Sequence, residues 1–409
     1  MLNIAIIGGG AAGMAAAIAA RRQNPKAVVM ILEHKDIPGK KILSTGNGRC
    51  NLTNEYMDLS CFRSNNQEKI GSVLEQFSYE NTLHFFEEMG IMLKSRNGYI
   101  YPRCDQAAAV LEILQLELKR LSVDVKTGVH VNEIIPKKKG FQIRTDQGNY
   151  ITDKVILATG SKASKVLGSD GSGYSIAKSL GHHIIPVVPA LVQLKVKNHP
   201  FTKASGVRTD VTVTAVVDGE HIASDTGELQ ITNYGISGIP VFQISRYIAK
   251  ALYYKQKAEV EIDFLPQMSD RELEDYLWNR RVGRMNMTAV EFLMGIFNQK
   301  LIPRLLELSG IKAGKKVSEM DRQTIVKLSR ICKHTIVSIS DTNGFDNAQI
   351  CAGGVSLKEI NEKTMESAYA DGLYIVGELL DVDGICGGYN LQWAWSTGMI
   401  AGKHAAKQE

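Results

Sequence analysis

Asn3-Ile4-Ala5-Ile6-Ile7-Gly8-Gly9-Gly10-Ala11-Ala12-Gly13 is the stretch whose reading decides the fold. The run from Asn3 to Ile7 is apolar and rich in β-branched residues, which reads as a strand buried on both faces. It leads directly into G-x-G-x-x-G, with glycines at 8, 10 and 13. An Ala-rich helix follows from Met14 to Arg22, then a second strand from Ala27 to Leu32, with Glu33 at its end. Each position has a physical task. Gly8 permits the tight strand-to-helix turn. Gly10 lets backbone approach a pyrophosphate seated on the positive helix N-terminus, and Gly13 lets helix and strand pack closely. Glu33 stands twenty residues beyond Gly13, where a carboxylate can accept hydrogen bonds from an adenosine ribose. Such glycines also serve ordinary turns, but strand, glycines, helix, second strand and acid together favour a dinucleotide.

Bulk properties narrow the class. The 409 residues exceed one core and suffice for two or three domains. With 44% hydrophobic and 22% charged residues, composition is that of an ordinary globular protein. No apolar run reaches the length of a membrane span, and a first strand beginning at residue 2 or 3 leaves no room for a signal peptide. The net charge of +5 is mild. No dense Lys/Arg block with interleaved aromatics points to nucleic acid, and Lys137-Lys138-Lys139 before Gly140 reads as a solvated hairpin turn. Six scattered cysteines without C-x-x-C suit a reducing cytoplasm and argue against a zinc site or disulfide framework. His182 and His183 are adjacent, so they read as structural and not as metal ligands.

Beyond Glu33 the chain departs from a simple NAD-binding domain. The stretch Pro38 to Asn54 is long, glycine-rich and cationic, carrying Lys40, Lys41 and Arg49. It is either a solvated loop or a loop laid along a cofactor, and its place just after the acid-bearing strand favours the second. Helices are expected over Ile70–Leu74 and Thr82–Met89, and a helix capped by Asp105 running to about Leu121. Phe141–Arg144 and Tyr150–Thr152 form a hairpin around Asp146-Gln147-Gly148. Lys154 to Leu157 is another buried strand, and Ala158-Thr159-Gly160 is a small-residue turn that lets backbone pass close to a cofactor. Gly168 to Gly173 reads as a loop covering that cofactor. From Leu191 the text is β-like as far as Phe264, apart from a helix near Pro240 to Tyr253. A helical block capped by Ser269 or Asp270, with Glu272 nearby, lasts to about Cys332 and is interrupted at Ile302-Pro303. Thr335–Ser340 and Ala348–Cys351 return to strand, and Ala352-Gly353-Gly354-Val355 reads as a tight turn.

The C-terminal segment repeats the opening logic. Gly372 to Glu378 is a buried strand; a second glycine-rich loop, Gly384 to Gly388, leads into a last helix from Leu391 to about Ala406. Glu378 can hydrogen-bond a polyol chain, and the last helix's N-terminus can face a developing negative charge. A flavin needs both, because its ribityl chain carries hydroxyls and its reduced ring carries negative charge near N1 and O2; NAD needs neither.

These stretches resemble the BaiN/YhiN-type flavoproteins, a branch of the two-dinucleotide-binding-domain flavoprotein superfamily. The resemblance rests on Ile6–Gly13, Gly39–Asn54, Ala158–Gly160, Gly171–Tyr174, Thr232–Gly238, Ala352–Val355, and Gly377–Asp383 with Gly387–Ala394. It implies an α/β architecture: a Rossmann-like FAD-binding domain built from both chain ends, residues 1–190 and 350–409. It also implies an inserted β-barrel-like domain over 191–268 and 333–349, and a small helical domain over 269–332. It places Gly8, Gly10, Ala12 and Gly13 on the pyrophosphate, Glu33 on the adenosine ribose, and Val131 on adenine through its backbone. Lys41 falls near the phosphates or ribityl chain, and Glu378, Asn390 and Leu391 reach the ribityl chain and ring. His34, Thr45, Ala158, Thr159, Gly160 and Gly377 complete the implied cofactor contacts.

Members of that family are assigned to reduction of unsaturated 3-oxo bile acids, and a relative to oxygen-dependent oxidation of aminoacetone. The leading expectation is therefore a cytoplasmic FAD enzyme that reduces a C=C bond of an enone, with NAD(P)H as a transient electron donor. Its partner is a small molecule, with no nucleic acid, membrane or metal involved. Arg49 and Tyr389 are candidates for holding the carbonyl and supplying a proton, against the plainer readings that Tyr389 packs and Arg49 pairs with an anion. The rivals are an amine oxidase that passes electrons to oxygen, a non-catalytic flavin-binding protein, and a plain NAD dehydrogenase.

Overall fold

The computed structural model describes residues 1–407. The chain divides into two compact units, Met1–Val187 with Ile350–Glu409, and Val188–Gln349.

The first unit is built on a five-stranded parallel sheet. Its order is Leu373–Ile375, Lys154–Leu157, Asn3–Ile7, Val28–Glu33 and Asp124–Thr127. The opening strand lies at the centre, and Ile4, Ala5, Ile6, Val155, Ile156 and Ile375 are buried, as expected for strands covered on both faces. The first helix, Ala11–Gln23, is almost wholly buried from Ala12 to Ala20. Its cover is the last helix, Tyr389–Ala405. The two backbones come very close: a Cβ on Gly398 would lie 2.3 Å from Ala12 O, and one on Gly402 would lie 2.1 Å from Ala16 O. Small residues on both helices make that approach possible, and the two ends of the chain close one core.

Two expectations for this unit are corrected. Ala352-Gly353-Gly354-Val355 is not a turn but the end of a buried strand, Ile350–Val355. Its glycines answer to neighbours distant in sequence: a Cβ on Gly353 would sit 2.1 Å from Pro186 O, and one on Gly354 would sit 2.5 Å from Leu379 O. Asp105 does not cap the following helix, Ala107–Arg120, whose N-cap is Gln106. Asp105 has a φ of 57°, and its carboxylate is bonded by Lys94, which holds its pKa below the ordinary carboxylate value.

The second unit contains a closed barrel with strand order Leu194–Val196, Gly235–Ser237, Glu220–Ile231, Arg208–Val217, Ala258–Asp263 and Thr335–Thr342, every pair antiparallel. Closure leaves no open sheet edge. Val211, Val213, Val260 and Ile262 are buried. The helical stretch begins with Asp270–Arg280, whose N-cap is Ser269, with a reciprocal Ser269/Glu272 capping box. Pro303 stands in the first turn of a new helix, Ile302–Leu308, where its missing N–H costs nothing. Leu273, Leu277, Phe292 and Leu305 share one apolar cluster with Val213, Val260 and Ile262 of the barrel. Among the described residues no helix is long and apolar enough to cross a membrane.

Candidate functional site

The opening turn has the geometry a dinucleotide loop requires. Gly8 N–H donates to Leu32 O at 2.9 Å and Ala158 N–H donates to Ile7 O at 2.8 Å, so the turn is tied to both neighbouring strands. A Cβ on Gly8 would lie 2.5 Å from Ala158 O, and one on Gly13 would lie 2.0 Å from Gly8 O. Both are packing glycines. Gly10 differs: a Cβ there would meet nothing within 4 Å. The helix it precedes has no side-chain cap and no acid in its first turn, which leaves a positive N-terminus facing open space.

Glu33 closes the second strand and is buried. Its Oε2 accepts Gly9 N–H at 2.7 Å and its Oε1 accepts Lys35 N–H at 2.8 Å. The carboxylate therefore both shapes the glycine turn and retains acceptor capacity toward a hydroxyl. His34 Nδ1 lies 3.3 Å from Glu33 Oε1, and the His34 and His130 rings meet edge to face at 6.1 Å. Val129 N–H bonds Glu33 O at 3.0 Å. This draws Val131, buried at the start of its strand, alongside the acid. The open Gly10, the uncapped helix and this carboxylate fit the pyrophosphate and ribose of an FAD.

The loop after Glu33 is ordered, not merely solvated. Lys40–Gly48 winds as a 3₁₀ helix broken at Thr45, Gly46 and Asn47. Lys41 Nζ reaches Glu378 Oε2 at 2.8 Å, across 337 residues of sequence. Glu378 Oε1 accepts Ser161 Oγ at 2.8 Å and Cys351 N–H at 3.2 Å. The turn after Leu157, the Lys41 loop and the C-terminal turn thus converge on one carboxylate. Thr159 packs onto Gly173, where a Cβ would collide with its hydroxyl. The Tyr174 hydroxyl is buried with no hydrogen-bond partner. Desolvation and the nearby Cys351, Glu378 and Asp381 hold its pKa well above the ordinary phenol value. Burial likewise pushes the Cys351 thiol up to about 11 and the Cys50 thiol up to about 12. Neither is a thiolate at neutral pH, so Cys50 is no ready redox nucleophile.

Gly377 joins the chain ends, since a Cβ on it would stand 2.9 Å from Ala12 Cβ. Gly377 N–H donates to Thr397 Oγ1 at 2.9 Å, and Trp393 Nε1 donates to Gly377 O at 3.2 Å. The last helix begins two residues earlier than expected, at Tyr389, after Gly388 with φ 94°. Asn390 folds its carboxamide back on Gly384, accepting Gly384 N–H at 2.8 Å and donating to Gly384 O at 3.0 Å, so it braces the turn. Leu391 is half-buried in the same first helical turn. Tyr389 is buried with its ring edge-on to Phe62 at 5.6 Å. Its hydroxyl is hydrogen-bonded with Cys61, and burial raises its pKa. Arg49 is exposed and its charge helps lower the pKa of Asp105. Sequence reasoning did not single out Ser161. Nothing local marks it, because its partner Glu378 lies 217 residues away.

A central parallel strand with a glycine turn, an acid on the next strand and a second glycine turn delivered from the far end of the chain define the class: an oxidoreductase with a Rossmann-like FAD-binding fold. Residues 2–404 match the family described as HI0933-like protein Rossmann domain, and the chain belongs to that family. It is 58% identical over 409 residues to the 3-dehydro-bile acid delta(4,6)-reductase of Clostridium scindens, covering all of both chains. It is 30% identical to the ribosomal RNA dihydrouridine synthase of Escherichia coli, over 96% of this chain and 95% of that one. Among solved structures, the 3-ketosteroid-delta4-(5alpha)-dehydrogenase of Rhodococcus jostii shares the fold, with a TM-score of 0.50 at 16% identity, over 100% of this chain and 97% of that one.

Proposed function

We propose that this chain is an FAD-dependent reductase of C=C bonds conjugated to a ring ketone, acting on a 3-oxo bile acid in the cytoplasm, with NAD(P)H as transient electron donor. The observation that carries the reading is the 58% identity to the Clostridium scindens reductase along the full length of both chains. When bound, FAD supplies the two electrons and the hydride. The chain's own residues bind, orient and polarise. The first helix N-terminus, open at Gly10, receives the pyrophosphate, and Glu33 receives the ribose. The Lys41–Glu378–Ser161 cluster holds the polyol, with Lys41 balancing the carboxylate's charge. At the substrate, hydride adds to the β-carbon and a proton to the α-carbon, so a donor toward the carbonyl lowers the barrier. Exposed Arg49 is the cation available for that task. Tyr389, held between Phe62 and Cys61, serves to shape the loop.

A second reading is favoured by the relatives named ribosomal RNA dihydrouridine synthase, at 30% and 29% identity. Uridine also carries a C=C bond conjugated to a carbonyl, so the reaction class is shared and only the substrate differs. The identity favours the small molecule. The test is anaerobic reoxidation of the reduced holoprotein by a 3-oxo-4,6-diene bile acid and by unmodified ribosomal RNA, beside an aerobic assay in which the oxidised holoprotein is mixed with aminoacetone. Rapid reoxidation by the dienone, with a product two mass units heavier, supports the reading. Reoxidation by RNA alone, peroxide formation with the amine, or inertness to all three overturns it.

A further inference from the structure

The segment from Asn51 to Asn54 lies against the start of the last helix, and three of its four residues are bonded there. Leu52 O accepts Trp395 Nε1 at 3.1 Å, Thr53 Oγ1 donates to Gln392 Oε1 at 2.6 Å, and Asn54 Nδ2 donates to Gly387 O at 3.0 Å. Asn51 is the exception. It is 9% exposed, and its Oδ1 is buried with no hydrogen-bond partner. Leaving a buried carboxamide oxygen unsatisfied is costly, so this oxygen calls for a partner.

The direction of that carboxamide is informative. Asn51 Oδ1 would lie 3.0 Å from a Cβ built on Gly388, the N-cap of the last helix. No side chain caps this helix, and its first internal bond is Gln392 N–H to Gly388 O at 2.9 Å. The N–H groups of Tyr389, Asn390 and Leu391 therefore precede the intrahelical ladder. The orphan carboxamide and these N–H groups share one corner. The helix supplies donors alone, whereas a carboxamide supplies one acceptor and two donor hydrogens.

We propose that Asn51 is a positioning residue for the imide edge of the flavin pyrimidine, the C=O, N–H, C=O sequence, with its carbonyl taking the ring N–H and its amide a ring oxygen beside the helix N-terminus. The proposal rests on the FAD reading above. Alternating acceptors and a donor on a planar ring require a partner offering both kinds of group. Of the side-chain acceptors described above at this corner, Asn51 Oδ1 is the one without a hydrogen-bond partner.

The test compares wild type, Asn51→Ala and Asn51→Asp as apoproteins reconstituted with FAD labelled with ¹⁵N at N3. In wild type the N3 resonance shifts downfield from that of free FAD, and Asn51→Ala loses the shift. Asn51→Asp sets a negative charge against a ring that becomes more negative on reduction. It weakens binding of reduced relative to oxidised FAD about tenfold, which lowers the two-electron potential by about 30 mV. Apo Asn51→Ala melts no lower than apo wild type, because the lost group has no partner to forfeit. If wild type binds FAD and both variants keep its N3 resonance and potential, the role of Asn51 is overturned and the flavin reading stands. A lower apo melting temperature for Asn51→Ala likewise makes Asn51 structural. If wild type binds no FAD, the flavin reading itself falls.

Discussion

The two glycine turns of the α/β unit are alike in sequence and differ in what surrounds them. In the opening turn three glycines, Gly8, Gly9 and Gly13, are packed and one, Gly10, faces open space. In the C-terminal turn the glycines are crowded: a Cβ on Gly377 would meet Ala12, one on Gly384 would stand 2.6 Å from Tyr389 Cβ, and one on Gly388 would lie 2.7 Å from Thr53 O. The first turn leaves its backbone open at Gly10. The second folds its backbone against its own neighbours. A glycine-rich loop is thus no single device, and what surrounds each missing Cβ decides its purpose.

Substitutions can break this contrast. The largest effect belongs to Gly13→Val, which drives a branched side chain into Gly8 O. The expected loss is about 3 kcal/mol or more of unfolding free energy, read by denaturant melts of the apoprotein, with FAD binding lost as well. Gly388→Ala comes next, because it combines a left-handed backbone with a collision at Thr53 O. A loss of about 2–3 kcal/mol is expected in the same melts. Gly10→Ala should behave differently. Apoprotein stability changes by less than about 0.5 kcal/mol, while FAD affinity, followed by fluorescence quenching, falls at least about tenfold, or about 1.4 kcal/mol. If Gly10→Ala destabilises the apoprotein as much as Gly388→Ala does, the contrast between the turns is lost. The smallest effect concerns Cys50. With its thiol pushed up to about 12, alkylation in the native protein should not rise between pH 7 and 9, whereas exposed Cys104 labels readily. Peptide mass spectrometry after brief iodoacetamide treatment separates the two.

The opening unit was legible because its constraints are local. Strand, turn, helix and acid all fall within the first 33 residues, and the structure places each within a residue or three of its expected limits. The Ser269 capping box was legible for the same reason. What escaped depends on contacts far apart in sequence. Gly353 and Gly354 look like a turn until Pro186 O and Leu379 O are seen to press on them. Asp105 looks like a cap until Lys94 claims its carboxylate. Ser161 and Asn51 carry no local signature, since their significance comes from Glu378 and from the start of the last helix.

The pairing of the first helix with the last bears on biosynthesis. Ala12 and Ala16 leave the ribosome early, yet the glycines that cover them, Gly398 and Gly402, are translated near the end. The opening strand and helix therefore wait with bare apolar flanks while the intervening barrel, contiguous in the message, assembles behind them. During that interval apolar surface is exposed, the condition under which partly folded chains of this size tend to aggregate.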